Sequence, residues 1–123
     1  MASQLSHLFV SVRDLAATHR FYVEQLGLEA LMGGPDQGYM RLGGGGGFHI
    51  GFEAIPSAAT PTRGIEIVLR VDDVDVVYGR LVAAGVEVDG PPVDQEWGAR
   101  HIWLQDPTGY RVSVYSAAGP GTT

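Results

Sequence analysis

The sequence predicts an α+β fold in which two tandem βαβββ modules form mixed sheets that curve around a shared cavity. Three observations support this class. Each half of the chain begins with alternating apolar and polar residues, which are typical of a strand, followed by a capped helix. Three further strand-like stretches follow each helix. The order of elements in the first half recurs in the second. With 123 residues, of which 45% are hydrophobic, the chain is long enough for a single domain with a real core.

The first element is a strand over residues 5–12. Leu8, Val10 and Val12 lie on one side of it, and the opposite side carries Leu5, His7, Phe9 and Ser11. Asp14 can then accept hydrogen bonds from the free amides of a helix that begins near Leu15. Gly27 ends this helix, because glycine readily adopts the left-handed conformation of a helix terminus.

Three short apolar stretches follow, at residues 28–32, 39–42 and 48–53, separated by glycine, proline and aspartate. They are predicted to be strands joined by turns. The glycine run at residues 43–47 is interpreted as a flexible hairpin loop. A phosphate-binding loop is disfavoured because neither lysine nor Ser/Thr follows the run.

The second half repeats this order after a proline-containing linker at residues 54–63. Alternating apolar residues predict a strand at residues 65–71, and Asp73 caps a helix that ends at Gly85. Further strands are predicted at residues 86–88, 99–105 and 110–116.

The two halves align as an internal duplication, with His7 on Glu66 and Asp14 on Asp73. We therefore expect one domain over residues 1–123, with module one at about 5–53, the linker at about 54–63 and module two at about 64–116. A helix on one face of each sheet leaves the other face to line a cavity, where function is expected.

The charge balance of 8 basic and 14 acidic residues gives a net charge of −6, which disfavours nucleic acid and membrane surfaces as partners. The chain has no cysteine, so disulfides and thiolate metal sites are excluded. No apolar run approaches the roughly 20 residues that span a bilayer. Residues 1–4 do not resemble the start of a signal peptide. A cytoplasmic location is expected.

Several motifs carry a resemblance to a known family. They are the stretch HLFVSVRDL at residues 7–15, then Phe21-Tyr22 and Leu26-Gly27-Leu28, and near the end Trp97-Gly98-Ala99-Arg100 and Asp106-Pro107-Thr108-Gly109-Tyr110. In this order they resemble the vicinal oxygen chelate superfamily of glyoxalases, bleomycin-resistance proteins and extradiol dioxygenases. The resemblance covers about residues 5–116. The family's closing turn usually reads Asp-Pro-x-Gly-Asn, whereas this chain has Tyr110.

The resemblance implies paired βαβββ modules that often dimerise, so a homodimer is expected. The superfamily contains metal-dependent lyases, isomerases, dioxygenases and thiol transferases, and also metal-free proteins that sequester antibiotics. Fold alone does not choose among these functions. The cofactor expectation is therefore either none or a divalent metal.

In the metal-dependent relatives, the ligands lie on the first and last strands of each module. This implies His7 and Glu66 as metal ligands on the first strands. The last-strand positions are Ser113, whose neutral hydroxyl is a poor ligand, and a position near Gly51, which has no side chain. His49 shares the face of Gly51, so a three-ligand set of His7, His49 and Glu66 is an alternative.

The roles of His7 and Glu66 remain open between structural and functional readings. His7 is either a hydrogen-bonded strand histidine or a metal ligand. Glu66 lies opposite the core face, and because an unpaired buried carboxylate is costly, either Arg70 or Arg111 or a cation must neutralise it.

Aromatic residues define a candidate ligand wall. His101, Trp103 and Gln105 face the cavity if Ile102 and Leu104 face the helix. Trp103, Phe9 and Tyr115 could then stack a planar ligand, although ordinary core packing is the alternative.

The loop after the prolines at 91 and 92 carries Trp97, which is expected either to cover the cavity or to pack across a subunit interface. Arg100 is expected to be a surface or interface charge.

The favoured function is a small-molecule-binding protein similar to the bleomycin-resistance branch, without a complete metal site. Its ligand-binding candidates are Phe9, His49, Arg70, Trp97, His101, Trp103, Arg111, Ser113 and Tyr115. The alternative is a divalent-metal-dependent lyase, isomerase or dioxygenase in which Glu66 is catalytic. A purely structural or regulatory dimer is a third hypothesis. Motifs of serine hydrolases, zincins and dinucleotide dehydrogenases are not found.

Overall fold

The computed structural model describes residues 6–55 and 65–118, and the chain divides into two compact units, Met1–Thr60 and Pro61–Thr123. Each unit is a βαβββ module with its own four-stranded mixed sheet, which confirms the α+β class with two repeated modules. Most of the predicted linker, residues 56–63, lies outside the described residues.

The first unit follows the predicted order of elements. They are β1 (His7–Val12), α1 (Leu15–His19) continued by a π-helical segment (Arg20–Gln25), β2 (Glu29–Gly34), a 3-10 turn (Pro35–Gln37), β3 (Tyr39–Gly43) and β4 (His49–Ala54). Asp14 caps α1 as expected, because its carboxylate accepts a hydrogen bond from the Ala17 amide at 3.0 Å.

The helix of the first unit is not uniformly α-helical, contrary to the single helix predicted. After His19 the backbone widens into a π-helical segment, in which the Leu26 amide donates to the Phe21 carbonyl at 3.1 Å. Two adjacent side chains, Phe21 and Tyr22, are both buried there, and their rings meet edge to face at 4.9 Å. The wider turn brings neighbouring side chains closer to one face of the helix, so both can enter the core.

Sheet one has the strand order β1-β4-β3-β2, with β1 and β4 parallel and the other pairs antiparallel. Tyr22 from the helical segment stacks on Phe52 at 5.2 Å, so the helix covers the sheet face that carries Phe52. Because side chains alternate along each strand, the opposite face carries a second set. We call it the helix-free face of sheet one and define it as His7, Phe9, Ser11, Tyr39, Arg41, His49, Gly51 and Glu53.

The second unit contains β5 (Glu66–Arg70), α2 (Val74–Ala83), β6 (Asp89–Asp94), β7 (Ala99–Gln105) and β8 (Arg111–Ala117). Sheet two has the order β5-β8-β7-β6, with β5 and β8 parallel, which repeats the topology of sheet one. Asp73 caps α2 by accepting hydrogen bonds from the amides of Asp75 and Val76.

The predicted strand at residues 86–88 is wrong, because the strand begins only at Asp89 and runs through both prolines. Pro91 and Pro92 lie inside the strand, and the loop that carries Trp97 begins after Asp94. Strand β6 lies at the edge of sheet two, where a proline without an amide hydrogen is tolerated. Its register shifts between Asp89 and Val93, so the prolines fall in an irregular stretch of the pairing.

The core of the second unit lies between α2 and one face of sheet two. It consists of buried residues that include Ile67, Val74, Val77, Leu81, Ile102, Leu104, Val112 and Val114. The alternate residues form the helix-free face of sheet two, defined as Glu66, Val68, Arg70, His101, Trp103, Gln105, Arg111, Ser113 and Tyr115. The predicted orientation of β7 is therefore confirmed.

None of the helices formed by residues 6–55 and 65–118 has the length and apolar composition needed to cross a bilayer.

Candidate functional site

Glu66 is neutralised by Arg111, one of the two arginines considered for this role. The two residues are direct partners across the parallel β5–β8 pair, and the Arg111 Nε donates to Glu66 Oε1 at 2.7 Å. Both side chains are partly exposed, at 36% for Glu66 and 51% for Arg111. Arg70 is on the same face but forms no hydrogen bond or ion pair with another residue in the described ranges.

Four side chains on β7 and β8 form a continuous stack, which we call the ring stack of sheet two. The Arg111 guanidinium lies 5.7 Å from the centre of the Trp103 ring, a cation–π distance. Trp103 stacks on His101 at 5.0 Å, and His101 stacks on Tyr115 at 5.1 Å, with interplanar angles of 14° and 17°.

The strand register explains why these rings meet. His101 is directly opposite Tyr115 in the antiparallel β7–β8 pair, and Trp103 is opposite Ser113. His101 and Trp103 are two residues apart, so they point to the same face.

Two polar atoms of this face have no hydrogen-bond partner among the described residues. They are the Oγ of Ser113, a residue that is fully buried, and the Nδ1 of His101. A buried polar atom without a partner costs about 1–3 kcal/mol. Such atoms are uncommon in native proteins, and an ordered water or a ligand group is the usual partner.

Trp97 lies in the turn between β6 and β7 and is 69% exposed. Its ring meets His101 edge to face at 5.9 Å, so it adjoins the ring stack. Arg100 takes the surface role expected of it, because it points to the helix side and pairs with Asp75 at 2.9 Å and Asp94 at 3.1 Å. The hydrogen bond from Arg100 lowers the pKa of Asp75, and both carboxylates raise the pKa of Arg100.

His7 and His49 are neighbours on the helix-free face of sheet one. They are partners across the parallel β1–β4 pair, and their rings stack at 4.9 Å with an interplanar angle of 12°. Partial burial lowers the pKa of His7, and nearby Arg41 and His49 lower it further. The Ser6 hydroxyl lies 2.9 Å from His7 Nδ1 and supplies a hydrogen-bond partner.

Sequence reasoning did not single out Arg41, which lies on the same face. Its Nη1 is 3.4 Å from His49 Nε2, and its Nε is buried without a partner among the described residues. The alternation of β3 contained the signal, because Met40 and Leu42 face the core and thereby place Arg41 on the opposite face.

The donors present do not fit a divalent metal centre. The ligand lone pairs of imidazole lie in the ring plane, so the face-to-face rings of His7 and His49 do not converge on one point. Glu66 is held by Arg111, while Ser113 and Gly51 supply no charged donor. Within the described ranges, no three His, Asp or Glu side chains are grouped so as to hold an ion. The set of His7, His49 and Glu66 stays a prediction, because Glu66 belongs to the second unit and the two histidines to the first.

The Asp-Pro-Thr-Gly segment serves the fold. Asp106 is 5% exposed, and its Oδ1 accepts hydrogen bonds from the amides of Thr108, Gly109 and Tyr110, each at 2.9 Å. These bonds fix the turn that joins β7 to β8 and hence the register of the ring stack. Burial, followed by the charge of Asp106, raises the pKa of Tyr110.

Comparison with known families gives a match over nearly the whole chain. The model of the Glyoxalase/Bleomycin resistance protein/Dioxygenase superfamily matches residues 4–114.

Solved structures of similar proteins agree with this match. An antibiotic binding protein from Streptomyces sp. CB03234, TnmS3, is 28% identical over 95% of this chain and 98% of its own, with a TM-score of 0.74. A glyoxalase/dioxygenase from Nostoc punctiforme is 17% identical over 94% and 92%, with a TM-score of 0.80. A lactoylglutathione lyase from Agrobacterium tumefaciens is 19% identical over 94% of both chains, with a TM-score of 0.69. The last two show likeness of fold alone.

Proposed function

We propose that this chain, which belongs to the glyoxalase/bleomycin resistance protein/dioxygenase superfamily, binds a planar small molecule on the helix-free face of sheet two without a metal ion. The observation that carries this proposal is the ring stack beside two unpartnered buried polar atoms, His101 Nδ1 and Ser113 Oγ. His101 lies between Trp103 and Tyr115, and Arg111 lies over Trp103, so the stack offers a ligand its ring edges and the outer face of Tyr115. The two polar atoms offer hydrogen bonds that the described residues leave unused.

The chemistry of this face indicates the type of ligand. A planar aromatic ligand gains about 0.5–1.5 kcal/mol per ring contact beyond the burial of its surface. A hydroxyl or carbonyl on its edge would form a hydrogen bond with His101 Nδ1 or Ser113 Oγ, so the site should bind ligands with a polar group more tightly. Trp103, Tyr115 and His101 would form the wall of this site.

Arg111, Arg70 and Trp97 would complete the site. Arg111 would hold Trp103 in place through the cation–π contact, and Arg70 would offer a charge to an acidic substituent. Trp97 would cover the end of the stack next to His101. Contacts of Phe9 and His49 with the ligand stay predictions.

Similarity to TnmS3 favours an antibiotic-like ligand. That protein is described as antibiotic binding, and its similarity covers almost the whole of both chains. We therefore propose sequestration rather than catalysis, since binding needs a stacking face and a few hydrogen bonds but no set of metal ligands.

Two naphthalene derivatives of similar shape test the proposal, namely 2-naphthol and 2-methylnaphthalene. The chain has two tryptophans, so the NMR spectrum of Trp97→Phe identifies the indole N–H signal of Trp103, which is then followed in the unmutated protein. We expect 2-naphthol to shift this signal saturably and to bind at least tenfold more tightly than 2-methylnaphthalene, which corresponds to about 1.4 kcal/mol.

The matched variants are His101→Phe, which keeps a ring but removes Nδ1, and Ser113→Ala. Each should reduce the preference for 2-naphthol. An unshifted Trp103 signal with both compounds would overturn the proposal, as would equal affinity for the two compounds in the unmutated site.

The competing function is a divalent-metal-dependent lyase, isomerase or dioxygenase in which Glu66 moves a proton. The neighbouring imidazoles of His7 and His49 are the observation in its favour. Calorimetric titration with Mn(II), Fe(II), Ni(II) and Zn(II) separates the two functions. Stoichiometric binding at sub-micromolar concentration that is lost in His7→Ala would favour the enzyme and reject the metal-free proposal.

We also propose a cytoplasmic homodimer of single-domain chains with module bounds near 5–53 and 64–116. The family resemblance supports dimerisation, and the repeated topology of the two sheets supports the module bounds. Sedimentation of the protein at micromolar concentration tests the dimer, and a monomeric species would reject it.

A further inference from the structure

Arg41 is a cation without an acidic partner in a chain that is rich in acid. The sequence has 14 acidic and 8 basic residues, yet no carboxylate of the described residues pairs with Arg41. Glu53, on the same face, accepts a hydrogen bond from Ser11 at 3.3 Å. The guanidinium stays charged under all ordinary conditions, so its positive charge is uncompensated locally.

The hydrogen bonding of Arg41 is also incomplete. Because a guanidinium only donates, its 3.4 Å contact makes His49 Nε2 the acceptor, and the proton of a neutral His49 lies on Nδ1. The Nε–H of Arg41 is buried and unpartnered among the described residues. The fork formed by Nε and an Nη is the part of arginine that binds a carboxylate through two parallel hydrogen bonds.

Aromatic surface adjoins this fork. Gly51 is the partner of Phe9 across β1–β4 and of Arg41 across β3–β4, so the three residues form one row. A Cβ atom at position 51 would lie 2.6 Å from Phe9 Cδ1, which means that the Phe9 ring lies over the space left by the glycine. Tyr39 lies 6.3 Å from Phe9 between ring centres.

We infer that Arg41 and His49 form a binding site on sheet one for the carboxylate of a small aromatic acid. The guanidinium fork takes the carboxylate, and the ring of the acid packs against Phe9 and Tyr39. Phe9 is 51% exposed, so its ring offers the ligand an apolar surface. This site uses other residues than the ring stack of sheet two and goes beyond the proposed function.

Benzoate is the test ligand, and its neutral counterpart benzamide is the control for charge. The protein is labelled with 15N-arginine, and the Nε–H signal of Arg41 is followed during titration. We expect benzoate to shift this signal saturably and benzamide to bind at least tenfold more weakly. Arg41→Gln should weaken benzoate binding at least tenfold, measured by calorimetry because the variant lacks the Arg41 signal, since it removes the charge-assisted pair of hydrogen bonds.

Three variants complete the design. Arg80→Gln removes an exposed arginine from α2 and controls for net charge, so benzoate binding should be unchanged. Arg41→Lys keeps the charge without the fork and should bind benzoate with intermediate affinity. This variant replaces Arg41→Gln in the test if Arg41→Gln does not fold. Trp103→Leu should leave benzoate binding intact, so failure of the proposed function and failure of this site are distinguishable.

The inference is overturned if benzoate binds Arg41→Gln or Arg41→Lys as tightly as the unmutated protein, or if benzamide matches benzoate. Sulfate that binds as tightly as benzoate would also overturn it, since the aromatic ring of the acid would then contribute nothing.

Discussion

The Nε of Arg111 donates to the carboxylate of Glu66 at 2.7 Å across two parallel neighbouring strands. The position of Glu66 corresponds to that of His7 in the first unit, where the cross-strand partner is His49 instead. The two sheets therefore carry different chemistry at equivalent positions. In sheet two, the carboxylate of Glu66 is already neutralised by Arg111, which disfavours Glu66 as a proton-transfer group.

The Glu66–Arg111 pair should contribute little to stability despite its short distance. Both side chains are partly exposed, so solvent screens the charges, and such pairs contribute about 0.2–1 kcal/mol. A double-mutant cycle with Glu66→Gln and Arg111→Gln, measured by urea unfolding, should give a coupling energy in this range. High salt should reduce it. A coupling above about 2 kcal/mol would contradict this, because only a desolvated pair reaches such values.

Gly33 should be intolerant of a side chain, whereas its neighbour Gly34 should tolerate one. Gly33 has φ +71°, and an added Cβ would overlap the carbonyl oxygen of Tyr39. Gly33→Ala should lower the free energy of unfolding by at least about 1–2 kcal/mol from the backbone conformation alone.

Gly34→Ala is the matched control, since Gly34 is extended and has nothing within 4 Å of an added Cβ. Its unfolding free energy should stay within about 0.5 kcal/mol of the parent. Equal denaturation midpoints for both variants would show that the constraint at Gly33 is absent.

Asp106 should be required for stability. Asp106→Ala removes the acceptor of three amides in a buried turn, and we expect a loss of about 2–3 kcal/mol in urea unfolding. Asp106→Asn keeps one acceptor oxygen and should lose less. Asp72→Ala, which changes an exposed aspartate, should have an effect within about 0.5 kcal/mol. A loss in Asp106→Ala no greater than that of Asp72→Ala would refute the role of this carboxylate.

The Asp75–Arg100 pair should stabilise the second unit only when Asp75 is ionised. The pKa of Asp75 in the folded chain lies below its usual 3.8, so the folded state favours the charged form. This stability is therefore fully present above about pH 3.8 and is lost as the pH falls through the lower folded value.

Urea midpoints of the parent and Asp75→Asn should thus differ at pH 6 and converge once the pH lies below the lowered pKa of Asp75. Asp36→Asn, which changes an exposed aspartate of the first unit, is the control and should show no such convergence. A difference in urea midpoint between the parent and Asp75→Asn that stays the same at pH 6 and below the lowered pKa of Asp75 would contradict the prediction.

Local sequence signals predicted the parts of the fold that depend on neighbouring residues. Asp14 and Asp73 cap their helices as expected, because capping needs only the residue and the amides just after it. The alternation of β7 correctly placed Trp103 opposite the core. The need to neutralise Glu66 left Arg70, Arg111 or a cation as alternatives, and the β5–β8 register places Arg111 beside it.

The errors arose where strand order decides the outcome. Pro91 and Pro92 are compatible with β6 only because that strand is at an edge, and edge position is a property of the whole sheet. Arg41 was overlooked for a similar reason, since its proximity to His49 depends on the pairing of β3 with β4.

In each unit the first strand pairs with the last. During synthesis on the ribosome, the first strand therefore cannot pair until the last strand has been made. Ser11 and Glu53 are 42 positions apart, and Glu66 and Arg111 are 45 apart. At roughly 5–20 residues per second, β1 waits about 2–8 s for β4 to be made. During this time β1 has no strand partner, because β4 is its neighbour in sheet one. A nascent chain halted before Asp106 would likewise lack β8, the strand that pairs with β5.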